Sequence, residues 1–126
     1  MGGHQDPRHA GERSKLREKV LTPDVLLQPH NASLEMTFYE GNQFPAEFKG
    51  DIFAAQHGSW NRQLKTGYEV IRVQLHQAGK ATGEYEDFLT GFVTADAKVW
   101  GRPVGGPSRK TDRCWFQTMD RSASGA

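Results

Sequence analysis

Ser33-Leu34-Glu35-Met36-Thr37-Phe38-Tyr39 sets Leu34, Met36 and Phe38 on one side of the chain at a period of two, the spacing of a strand. Glu40-Gly41-Asn42 breaks that run, and Phe44-Pro45-Ala46-Glu47-Phe48-Lys49-Gly50 reads as a connector ending in glycine. Residues 51–57 follow, nearly continuous in apolar and small side chains, as expected of a strand buried on both faces. Residues 68–75, rich in β-branched side chains, give a third strand, and Gln77-Ala78-Gly79-Lys80 gives a turn. Residues 83–90 read as a weaker, polar fourth strand at a sheet edge. No helical pattern separates these runs, so the predicted fold class is all-β, built on one antiparallel sheet.

Four antiparallel strands in roughly 60 residues make one propeller blade. A single blade cannot bury both of its faces, and repeats of this kind need about three or more neighbours to build a continuous core. The pattern therefore suggests part of a larger propeller. Composition agrees: 36 % of the 126 residues are hydrophobic, which is thin for an independent core. Sixteen Lys and Arg against 15 Asp and Glu give a net charge of +1, too little to draw the chain to nucleic acid or to an anionic membrane. No stretch approaches 18 consecutive apolar residues, and the first 19 contain no signal-peptide core. The single cysteine, Cys114, excludes an internal disulfide and a thiolate-rich metal site.

Three segments follow from this texture. Residues 1–21 are a polar connector, with a short helix over 14–20 as an alternative; residues 22–105 carry the strand pattern; residues 106–126 show none. That last segment has its own explanation. Read one base earlier, the codons of residues 107–121 permit Ala-Val-Ala-Lys-Asp-Gly-Ser-Leu-Leu-Val-Ser-Asp-Asp-Gly-Ser. Most of these positions are permitted, but the overlaps Cys114/Trp115, Trp115/Phe116 and Met119/Asp120 must give Leu, Val and Gly. The tail is therefore read as frameshifted and disordered.

Several motifs, in order, carry a family resemblance. They are Gly2-Gly3-His4-Gln5-Asp6-Pro7-Arg8-His9, residues 23–34 leading into Met36-Thr37-Phe38-Tyr39, residues 43–50, and His57-Gly58-Ser59-Trp60-Asn61-Arg62. Gly67-Tyr68-Glu69-Val70, residues 86–92 and Val99-Trp100-Gly101-Arg102-Pro103-Val104-Gly105 complete the set. Together they resemble the C-terminal portion of the soluble glucose/sorbosone dehydrogenases, six-bladed propellers that use pyrroloquinoline quinone (PQQ). The resemblance implies a fragment of about one blade plus the start of the next. It also implies oxidation of an aldose or sorbosone-like sugar by hydride transfer to PQQ, with calcium, in a periplasmic or secreted protein. The family's general base, a histidine of an early blade, and its calcium loop have no counterpart here. A non-catalytic propeller fragment or pseudogene product thus stands as the alternative. A nucleic-acid binder drawn from the basic run 108–113 has no interleaved aromatics to support it.

The candidate cofactor residues follow from the resemblance and from side-chain chemistry. Arg102 falls on the family's cofactor loop, and its planar fork of donors suits carboxylates and quinone oxygens; the competing reading is an arginine on a solvated turn. In relatives with an Arg-x-Arg loop the first arginine corresponds to Trp100, so that contact is lost or replaced by ring packing. His57 neighbours Gly58, which stands opposite a cofactor-binding lysine of more distant relatives. It could hydrogen-bond a quinone oxygen or be held by backbone at a strand end. Asn61 and Arg62 are candidates for the same mouth. Trp60 could stack on a sugar or pack between blades, and His30 lies where the family's substrate rim begins. The five histidines form no metal set, since His4 and His9 have no further ligand at suitable spacing.

Overall fold

The computed structural model describes residues 7–9, 18–60, 62–76, 79–105 and 117–119. Four strands, β1 (Ser33–Phe38), β2 (Ile52–Gln56), β3 (Glu69–Leu75) and β4 (Ala81–Leu89), form an antiparallel meander in chain order. The expected all-β class holds, and the fourth strand is the exposed edge the polar pattern implied. Two short 3-10 turns, Pro7–His9 and Ala46–Phe48, are the only helical segments among the described residues. The alternative helix over 14–20 falls largely outside the described residues, and residues 18–19 form a turn. The meander has the form of one propeller blade.

The two faces of the sheet are covered unequally. On one, Tyr39, Phe53 and Val70 are buried beneath Phe44, Phe48 and Phe88. The rings interlock, with Phe53 and Phe88 edge-on at 4.6 Å and Tyr39 and Phe44 stacked at 4.9 Å. Phe44 and Phe48 belong to the segment read as a connector, so this loop is a lid on the core. Tyr39 pins it at both ends: the Phe44 amide donates to its hydroxyl at 2.7 Å, and the Gly50 amide to its carbonyl at 2.8 Å. Gly50 takes φ +91°, where a glycine costs least.

The same face holds a buried ion pair. Arg72, in the middle of β3, donates from Nε to Asp51 at 2.6 Å and from Nη1 to Glu86 at 2.7 Å. Its Nη2 reaches the Glu47 carbonyl at 3.2 Å, and its guanidinium lies 3.9 Å over the Phe48 ring. Asp51 also accepts the Leu75 amide at 2.9 Å. One arginine therefore ties β3, β4 and the lid loop together.

The opposite face carries Ala54, Ile71 and Val73, partly covered by Val25, Leu27, Ile52, Ala81 and Tyr85. Here Leu34, Met36 and Phe38, the side chains whose period identified β1, are 55 %, 62 % and 50 % exposed beside an open groove of about 520 Å³. The period marks the strand correctly, but among the described residues outside the strands Val25 and Leu27 are the hydrophobic side chains packed on this face.

A second sheet begins with β5 (Arg102–Gly105), which packs against β1, β2 and β3 and pairs antiparallel with β6 (Gln117–Met119). Glu35 of β1 fills the space a side chain at Gly105 would need. Thus the blade is followed by the start of another. β6 lies in the tail read as lacking strands; ladder pairing uses backbone donors and acceptors, which every non-proline residue carries. The remainder of the frameshift reading, 106–116 and 120–126, falls outside the described residues.

At one end of β3 two carboxyl groups stand together. Glu69 and Asp87 share a hydrogen bond, and burial first, then the Asp87 charge, raise the Glu69 carboxyl above its ordinary value. Glu69 therefore holds its proton more tightly folded than unfolded. Stability from this group is full below the ordinary glutamate value and is lost as pH rises through the raised one. Glu69→Gln is expected to raise the urea midpoint at neutral pH, and that advantage should disappear on acidification. An advantage that persists unchanged at low pH would assign the effect to something other than the shared proton.

Candidate cofactor site

Three loops converge at one end of the blade: residues 28–32 entering β1, 57–67 joining β2 to β3, and 90–101 joining β4 to β5. Their backbones are tied by short bonds. The His57 amide donates to the Ala32 carbonyl and the Gly58 amide to the Asn31 carbonyl, at 3.0 and 2.9 Å. Asn31 is buried and accepts the Thr66 hydroxyl at 2.8 Å. Gly58 is required here on two counts: its φ is +109°, and a Cβ would run into the Tyr68 ring.

Tyr68 is the floor of the site. It is buried, its hydroxyl donates to the Ser59 carbonyl at 2.8 Å, and the Arg102 guanidinium lies 5.1 Å from its ring centroid. Arg102 also donates from Nη1 to the His57 carbonyl at 3.4 Å. Around this pair opens a cleft of about 570 Å³, with Trp60, Arg62, Lys65 and Lys98 on its walls. Trp60 is 71 % exposed, and Arg62 donates to the Pro29 carbonyl and the Thr66 hydroxyl.

The sequence candidates thus separate. Trp60, Arg62 and Arg102 line one cleft. His57 does not line it but accepts from Arg102 through its carbonyl, while its Nδ1 is buried with no hydrogen-bond partner among the described residues. His30 sits at the same end in a left-handed turn, φ 69°, but does not line the cleft. Asn61 lies outside the described residues. Trp100 stacks on Phe92 at 5.2 Å and donates from its indole nitrogen to the Gly91 carbonyl at 2.7 Å, so ring packing occupies this position. Tyr68, Lys65 and Lys98 were not singled out from sequence. Tyr68 was visible within the Gly67-Tyr68-Glu69-Val70 motif, but nothing local marks it as the ring beneath an arginine 34 positions later.

An apolar floor with cationic walls fits a planar, carboxylated group. Calcium is a different matter: among the described residues no group of three or more His, Cys, Asp or Glu is placed to hold a metal ion.

The four-strand antiparallel meander is consistent with part of a propeller. The TrAA12-like family model matches residues 5–104, and the chain belongs to that family. An uncharacterized protein of Borreliella burgdorferi is 40 % identical over 78 residues, which is 62 % of this chain and 21 % of that protein. A protein of Coprinopsis cinerea named pyrroloquinoline quinone-dependent pyranose dehydrogenase is 45 % identical over 66 residues, 52 % of this chain and 8 % of that protein. The chain therefore spans about a fifth or less of these relatives. No solved structure gives a significant match. The resemblance read from the motifs is borne out as a relation to PQQ-dependent dehydrogenases over part of their length.

Proposed function

We propose that this chain supplies part of the cofactor wall of a PQQ-dependent sugar dehydrogenase. The observation that carries the reading is the placement of Arg102 on Tyr68 within a cleft that Trp60 and Arg62 also line. When bound, PQQ supplies a quinone that accepts the hydride of an aldose or related sugar at its hemiacetal carbon. The residues of this chain bind and orient. Arg102 pairs with a carboxylate or quinone oxygen, Arg62 adds a second positive charge, and His57 steadies the Arg102 guanidinium through its backbone carbonyl. Trp60 presents an exposed ring on which a neutral pyranose can stack, with His30 farther out on the rim. Glucose or a sorbosone-like sugar is the proposed substrate and the periplasm or cell exterior the proposed location; calcium would be held by residues other than those described.

No described residue is assigned to proton abstraction, and loss of a general base typically costs about 10²–10⁴ in rate. Two measurements on the expressed chain test the reading. Equilibrium dialysis should show saturable retention of PQQ, and dye-linked oxidation of glucose should be absent even with PQQ and calcium added. Failure to retain PQQ overturns the assignment. Retention without turnover is the expected pair; turnover by the chain alone would show that it carries a base of its own.

A further inference from the structure

The cleft has a wall that neither the motifs nor the cofactor reading explains. Residues 94–98 form a tight turn closed on itself. The Thr94 amide donates to the Lys98 carbonyl at 2.9 Å, the Lys98 amide to the Thr94 hydroxyl at 3.1 Å and the Ala97 amide to the Thr94 carbonyl; the Thr94 hydroxyl also bonds Asp96, and Val93 and Val99 bridge below. Hydrogen bonds from Lys98 and then Thr94 hold the Asp96 carboxyl below the ordinary aspartate range, so the turn carries its own charge pairing. Ala97, at φ 61°, is its tip. The turn joins the blade through Trp100 packed against Phe92. Across the cleft, Lys65 extends from the 57–67 loop and donates from Nζ to the Ala97 carbonyl at 2.5 Å.

We propose that Lys65 is a positioning residue: it latches the 94–98 turn to the 57–67 loop and so sets the width of the mouth above Arg102. The physical case is one of leverage. A self-closed turn without the latch pivots about Trp100, two residues before Arg102, and carries Lys98 and Val99 away from the cleft they line. A charged donor on a carbonyl is the stronger class of hydrogen bond, and a flexible lysine stem can span two loops that no strand connects. The latch rests on the geometry of the loops; only its effect on ligand rests on the proposed cofactor.

The test compares the chain with Lys65→Ala and Lys65→Arg, reading backbone ¹⁵N order parameters and PQQ half-saturation. The expected result is a loss of order confined to 94–98 in Lys65→Ala, restored in Lys65→Arg, with strands β1–β4 unchanged. PQQ half-saturation should rise about three- to tenfold in Lys65→Ala, the range for one partly exposed hydrogen bond, and recover with arginine. Unchanged order in 94–98, or loss spread across the strands, overturns the latch. Local loss with unchanged PQQ half-saturation overturns its role in the site. If the parent chain binds no PQQ, the cofactor reading falls, and the latch is judged on the order parameters alone.

Discussion

Arg72→Ala is expected to cost about 3–5 kcal/mol, the range for removing one partner of a buried ion pair. The size follows from what is left behind. Asp51 is only 3 % exposed, and without the guanidinium it would hold a carboxylate in the core beneath the lid loop. The same change frees Phe48 from its cation and removes the bond to the Glu47 carbonyl, so the aromatic cluster loosens with it. Arg72→Met combined with Asp51→Asn should recover much of the loss. Asparagine keeps the carbonyl oxygen that accepts the Leu75 amide, and methionine fills the volume without charge. Urea unfolding of the parent, the single and the double variants measures this. A single-variant loss below about 1 kcal/mol would place the pair with exposed ion pairs instead.

Arg102→Ala should weaken PQQ about 10- to 100-fold, the equivalent of a charge-assisted hydrogen bond worth roughly 1.5–3 kcal/mol. The guanidinium is fixed from two sides, by the Tyr68 ring below and the His57 carbonyl beside it, so its fork needs little reorganisation to meet an anion. Sugars are neutral and gain nothing comparable from it. Arg102→Lys should restore only part of the affinity, because a point charge cannot reproduce two parallel contacts. The readout is PQQ half-saturation for the three proteins. Unchanged values would return Arg102 to the reading of an arginine on a turn.

The strands were legible because each announces itself locally: the period of Leu34, Met36 and Phe38, the run of apolar and small residues over 51–57, the β-branched residues around Ile71. Tertiary relations were less so. Phe44 and Phe48 lie in a segment with no period, and only the fold shows that a glycine-terminated connector can turn back to roof Phe53. Arg72 sits among β-branched neighbours, and its partners, Asp51 just before β2 and Glu86 opposite it on β4, are brought to it by strand register. The site shows the same division. The Arg102 loop and the His57-Gly58-Ser59-Trp60 motif were each visible, yet their meeting across 45 residues depends on β5 folding back onto the first sheet. Trp100 could be read as lost contact or ring packing, and Phe92 decides it. Lys65 and Lys98 carry no motif at all.

The central claim is that the loop end of this blade binds a carboxylated quinone through its cations. Calorimetric titration of the chain with PQQ and with its fully esterified form tests that claim most directly. One saturable site for PQQ is expected, weakened by added salt and by Arg102→Ala, with little or no heat from the ester. Equal binding of the acid and the ester, or no saturable site for either, would contradict it.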